Sequence, residues 1–189
     1  MGKIFININK GDVEMSANVT TSELVIATGT LIHEMIFHLN EEYGMKEEIK
    51  KVLCDNINSE ELDADLIKIA LSLKDKVNED MDKLEVSSAL EHIFDLFRAC
   101  NKYIDETMPW VLAKDDTKRD RLATVLYNLI ESIRIATVLL QAFIPDTADK
   151  IFYQINTDLK GYDTIDNFGG YVSGTKVNNP EVLFKRIEN

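Results

Sequence analysis

Between Thr117 and Pro145 apolar side chains recur at Leu122, Val125, Leu126, Leu129, Ile133, Ala136 and Leu140, in steps of one, three and four residues closed by a proline. That is the period of a helix face, and Pro145 stops the helix because it lacks an amide hydrogen. A helix this long and this apolar has to be covered, so the rest of the chain must supply packing partners. Two earlier segments carry the same period. Ser59 with Glu60 and Glu61 opens a stripe at Leu62, Leu66, Ile69, Leu73 and Val77, and Ser87 or Ser88 leads into Ile93, Phe94, Leu96, Phe97 and Tyr103, ending near Pro109. Asp146 is expected to cap a last helix reaching about Ile155. One continuous core follows from these stripes.

The flanks read differently. Ile4, Ile6 and Ile8 alternate, Asn9-Lys10-Gly11-Asp12 is turn chemistry, and Val13 to Met15 returns as a second strand of a β-hairpin. Thr20-x-x-Glu23 is a capping box before Leu24, Ala27, Leu31, Met35 and Leu39, a run that ends at Gly44; a short helix is expected over Met45–Leu53. From Asp158 to Asn189 the chain is glycine-rich and poorly periodic, an irregular tail expected to wrap the bundle. The expected organisation is an acidic N-terminal region over 1–57, a helical bundle over 58–157 and a packed C-terminal tail over 158–189. The fold class is mostly α.

Composition narrows the functions. With 189 residues, 45% hydrophobic and 29% charged, the chain has globular proportions and a length suited to one domain or two small ones. The net charge is -12, and residues 1–65 hold five basic against thirteen acidic groups, with no arginine before Arg98. The first third therefore lacks the clustered cations that nucleic-acid binding requires. The longest uncharged apolar run, Ile135 to Pro145, is about half of the ~20 residues a membrane span needs. The N-terminus has no signal-peptide pattern, and Ile6 stands where a myristoylation site needs Ser or Thr. Cys54 and Cys100 form no C-x-x-C pair, and Asn18-Val19-Thr20 is a sequon by spelling alone. A cytoplasmic protein without a membrane anchor is expected.

Catalytic and metal chemistry find no anchor. His33 and His38 are five residues apart, which at ~100° per residue sets the imidazoles roughly 140° apart on a helix, too far for one metal. His92 is the remaining histidine, and no phosphate-loop, dinucleotide or nucleophile-elbow motif occurs. Cys100 lies on an apolar face, where burial is expected rather than nucleophilicity. No cofactor, metal or small-molecule substrate is expected.

The later blocks carry a resemblance. They are Asn101-Lys102-Tyr103-Ile104-Asp105-Glu106-Thr107-Met108-Pro109-Trp110-Val111-Leu112-Ala113-Lys114, Arg121-Leu122-Ala123-Thr124-Val125-Leu126-Tyr127-Asn128-Leu129, Ile144-Pro145-Asp146-Thr147-Ala148, Phe168-Gly169-Gly170, Gly174-Thr175-Lys176-Val177 and Pro180 to Glu188. From about Ser59 onward, two-thirds of the chain, this order resembles the C-terminal anticodon-binding domain of methionyl-tRNA synthetase. The resemblance implies a helical bundle of the class I synthetase anticodon-binding type, with the hairpin and tail appended. The family's H-I-G-H and K-M-S-K-S type motifs are absent, so no aminoacylation is expected of these residues.

In the family the Trp of the Pro-Trp motif stacks on an unpaired base, which implies that role for Trp110; packing of Trp110 in the bundle is the other reading. The family's first domain helix carries an Asn and an Arg four apart in a G-N-L-x-x-R stretch. The nearest counterpart is Gly29-Thr30-Leu31-Ile32-His33-Glu34, closing at Tyr43-Gly44, where Thr30 and Glu34 replace the pair. A glutamate facing phosphate offers only acceptors and repulsion.

Two functions follow. The first expectation is a non-catalytic inhibitor that contacts a basic, RNA-handling protein through the acidic face Glu34, Glu41, Glu42, Glu47 and Glu48, concretely a mobile-element-encoded anti-CRISPR acting on an RNA-guided nuclease. The alternative is a stand-alone module recognising tRNA-Met through Trp110 and Asn101, with Lys114, Lys118 and Arg121 (beside Arg119) on phosphates. A persisting gene fragment without a dedicated role is a third reading.

Overall fold

In the computed structural model, residues 61–179 and Leu183 are described in full, and residues 4–9 and 12–17 as backbone. Strands β1 (Ile4–Asn9) and β2 (Asp12–Ala17) pair antiparallel, with Ile8 opposite Val13 and Asn9 opposite Asp12. The capping box at Thr20, the helix expected over Met45–Leu53 and the acidic face from Glu34 to Glu48 lie outside the described residues.

Helix α1 (Glu61–Asp82) buries Leu66, Ala70, Leu73 and Val77, a stripe stepping by four, three and four. The expected stripe contained Ile69, which is 36% exposed. Ala70 takes the inward place because it stays in phase with Leu66 and Leu73, which leaves Ile69 on the shoulder. Helix α2 (Val86–Thr107) runs back along α1 and buries Ala89, Ile93, Leu96, Phe97, Cys100, Tyr103 and Ile104. Ser87 and Ser88 sit inside its first turn, and Glu85 occupies the N-cap without a side-chain bond.

After α2 come the single turn α3 (Pro109–Leu112) and a 3-10 turn over Asp116–Lys118. Asp115, rather than Thr117, is the capping side chain here. Its carboxylate accepts from the Thr117 amide at 2.9 Å and hydroxyl at 2.7 Å, which also holds it below the usual carboxylate range. Helix α4 (Arg119–Leu140) is then buried from Leu122 to Leu140 except at Tyr127, the central rod that the apolar period demanded. Among the described residues it is the one helix long and apolar enough to cross a membrane, and its apolar window is 94% buried inside the bundle. Thr124, Ser132 and Thr137 return their hydroxyls to the carbonyls of Asp120, Asn128 and Ile133, which satisfies them within the helix.

Helix α5 (Pro145–Gln154) starts with Pro145 at the first position. Asp146, expected as its cap, lies one residue further in, where its charge still favours the helix N-terminus; Ile144 holds the cap position. Beyond α5 the tail crosses α4 and α1. Lys74 on α1 reaches the Tyr162 carbonyl at 3.1 Å, lies 4.2 Å above the Tyr162 ring centroid and pairs with Asp166.

Cys100 is fully buried, and its thiol is pushed up to about 12 by burial. In a Cys54→Ser variant, a thiol reagent is expected to label Cys100 only at the rate of unfolding; rapid labelling of the native chain would contradict this. The Tyr103 and Tyr171 hydroxyls are both held above the ordinary phenol range, mainly by burial. A raised folded pKa gives stability that is complete below the unfolded pKa, about 10 for tyrosine, and is lost as the pH climbs past it. Spectrophotometric titration is expected to show these two phenolates appearing only with the loss of helical circular dichroism.

Candidate nucleic-acid interface

The sequence candidates fall along one stretch from the end of α2 to the start of α4. Helix α2 stops because Met108 turns left-handed, with φ 46° and ψ 61°. Its amide donates to the Ile104 carbonyl at 2.9 Å, while its own carbonyl accepts from the amides of Val111 at 2.8 Å and Leu112 at 3.2 Å. One residue thus closes α2 and opens α3. Pro109 follows at the first helical position, where its fixed φ suits the turn and its missing donor costs nothing.

Trp110 comes next, half-buried against the core, so the indole is anchored by packing and partly open to solvent. Asn101 is half-buried on α2, six residues before its end, about 9 Å along the axis. Lys114 and Lys118 are exposed. Arg119 is held at the surface by Asp116 at 2.7 Å.

Arg121 is placed otherwise than the sequence grouping suggested. It points inward, where its Nη1 and Nη2 donate to Asp63 Oδ2 at 2.5 Å and Oδ1 at 2.8 Å, and its side chain is 13% exposed. Asp63 is fully buried and also accepts from the Tyr103 hydroxyl at 2.5 Å. Asn128 Nδ2 donates to that hydroxyl at 3.3 Å. This network ties α1, α2 and α4 together and holds the Arg121 cation inward.

A groove of ≈ 530 Å³ runs between α1 and α2, floored by Leu62, Leu66 and Tyr103 and rimmed by Lys68, Lys76 and Lys102. It reaches Glu106, two residues short of the Met108 turn. Among the described residues no group of three or more His, Cys, Asp or Glu side chains is arranged to hold a metal ion.

A second buried centre fixes the tail against this scaffold. Glu131 and Arg134, one turn apart on α4 and both fully buried, bond at 2.7 and 2.9 Å. The carboxylate also accepts from the amides of Gly169 at 3.0 Å, Gly170 at 2.8 Å and Tyr171 at 3.1 Å. Arg134 donates onward to Leu159 and Thr164. Glycine suits both positions: Gly169 has φ 104°, and a Cβ on Gly170 would lie 3.0 Å from Arg134 Nη2, close enough that the guanidinium would have to give way. Gly169→Ala is expected to lower stability by at least ~1–2 kcal/mol, the penalty of an L side chain at positive φ, measured by urea unfolding.

Residues 55–189 match the family described as the anticodon binding domain of methionyl tRNA ligase. The chain belongs to that family. The match begins four residues before Ser59, where the resemblance was first legible. Among relatives of this anticodon-binding domain, the methionine–tRNA ligase of Clostridium acetobutylicum is 49% identical over 132 residues, 70% of this chain and 20% of that protein. The ligase of Caldanaerobacter subterraneus is 51% identical over 133 residues, 69% of the chain and 21% of the relative. The chain thus spans about a fifth of the length of these relatives. The structure of Mycobacterium tuberculosis methionyl-tRNA synthetase in complex with methionyl-adenylate superposes with a TM-score of 0.66 at 23% identity, covering 87% of this chain and 31% of that one. That likeness establishes the fold.

Proposed function

We propose that this chain is a non-catalytic, cytoplasmic tRNA-binding module that takes the anticodon loop of tRNA-Met at the end of the bundle formed by α2, α3 and the start of α4. The observation that carries the reading is the family match over residues 55–189. The local chemistry agrees with it. Trp110 presents part of an indole on which a base can stack, and exposed Lys114 and Lys118 follow on the same stretch to meet phosphates. The non-catalytic reading is supported by the family that residues 55–189 match, which is described as an anticodon binding domain.

The inhibitor reading gains nothing from either the family or the fold. Its contact residues, Glu34, Glu41, Glu42, Glu47 and Glu48, lie outside the described residues, and the family match lends no support to a basic protein partner or an anti-CRISPR role. The tRNA reading therefore replaces it.

The test is a titration of the anticodon stem–loop of tRNA-Met with the full chain. Affinity is expected to fall steeply between about 50 mM and about 200 mM salt. Trp110→Ala is expected to weaken binding about 5- to 150-fold, the equivalent of ~1–3 kcal/mol of stacking, with helical circular dichroism unchanged. Absence of binding at about 50 mM salt would remove the proposal.

A further inference from the structure

The residue that closes α2 breaks a local rule. The position after a helix end that turns left-handed is normally glycine, because a Cβ is strained at positive φ. Here it is Met108, at φ 46°. Burial of the side chain would offset that strain, yet Met108 is 45% exposed. Three residues on, Val111 is 49% exposed. The Val111 amide bonds the Met108 carbonyl at 2.8 Å, so the two exposed apolar residues belong to one tight turn, with Trp110 between them in sequence and packed against the core. An apolar ledge beside a half-buried indole, followed by exposed Lys114 and Lys118, suits a partner that is flat and apolar in one part and anionic in another.

We propose that Met108 and Val111 form a second base-contacting surface, taking an unstacked nucleobase of the same single-stranded loop next to the one that meets Trp110. The inference rests on the tRNA reading above and adds residues to it. A thioether is polarizable and packs favourably on an aromatic ring, and its flexibility tolerates any base. The left-handed backbone is the cost of holding that side chain outward, and strain of this kind persists where a site requires it.

Met108→Gly separates function from structure, since glycine is the preferred residue for this backbone. With the tRNA-Met anticodon stem–loop as probe, Met108→Gly is expected to bind about 2- to 10-fold more weakly than the unaltered chain, with its melting temperature unchanged or raised. Val111→Ser, which leaves the left-handed residue untouched, is expected to weaken binding by a similar factor. A Met108→Gly chain that binds as tightly as the unaltered one overturns the ledge, even where Trp110→Ala still loses affinity and so upholds the tRNA reading. Loss of affinity in Met108→Gly accompanied by a lower melting temperature, with Val111→Ser at full affinity, also overturns it. If the unaltered chain fails to bind the stem–loop, both proposals fall together.

Discussion

Glu131→Gln is expected to cost ~3–5 kcal/mol of stability, the range for leaving a buried partner charge uncompensated. The carboxylate accepts five donors: two from Arg134 and the amides of Gly169, Gly170 and Tyr171. A glutamine keeps the shape but turns one oxygen into a donor, so at least one half of this arrangement meets donor against donor. It also leaves the fully buried guanidinium of Arg134 without its counter-charge. The damage spreads along the tail, because Arg134 also holds Thr164 and Leu159, and the Tyr171 carbonyl is in turn held by the Tyr127 hydroxyl at 2.9 Å. Urea unfolding measures the loss, and hydrogen exchange at residues 169–171 reports whether the tail detaches before the bundle melts. Adding Arg134→Met to Glu131→Gln is expected to recover part of the loss, since an apolar side chain of similar length is better tolerated than an unpaired charge. A loss below about 1 kcal/mol in the single variant would show that the clasp holds nothing together.

The periodic parts of this fold were legible because they follow from local spacing. Leu66, Leu73 and Val77 on α1, and the run from Leu122 to Leu140 on α4, are buried as their repeat requires. Legibility failed wherever the deciding partner was distant in sequence. Arg121 reads as a surface cation among Lys114, Lys118 and Arg119, but its partner Asp63 lies 58 residues away and nothing local announces it. Glu131 and Arg134 read as an ordinary charged pair on a helix; only the arrival of Gly169 and Gly170 turns them into a buried clasp. Ile69 failed for the opposite reason: hydrophobicity does not fix the phase of a stripe to better than one residue, and Ala70 won the inward position. Trp110 was found through the family pattern rather than through its chemistry. Met108 was in plain view beside it, but its left-handed backbone carries no side-chain signature, and the one clue was a helix end without glycine.

Asp63→Asn is expected to move stability and RNA binding in opposite directions. In the native bundle Asp63 is fully buried and takes both arms of the Arg121 fork as well as the Tyr103 hydroxyl. The asparagine loses the charge and one acceptor, so the fold is expected to weaken by about 3 kcal/mol, the lower part of the range for a broken buried pair. The lower part applies because the Arg121 side chain is 13% exposed and can turn its head to water. That same movement sets another cation beside Lys118 and Lys114 on the stretch proposed to meet phosphate. Binding of the tRNA-Met anticodon stem–loop, measured below the melting transition, is therefore expected to tighten, with a log–log salt slope steeper by about 0.7, the increment for one added single-strand phosphate contact. The Tyr103→Phe variant separates the two effects, because it removes one hydrogen bond from Asp63, costs ~1–2 kcal/mol, and leaves the Arg121 pair in place; its salt slope is expected to match that of the unaltered chain. An Asp63→Asn chain as stable as the original would show that the pair does not brace α1 against α4, and a destabilised one with an unchanged slope would show that Arg121 stays inward without it.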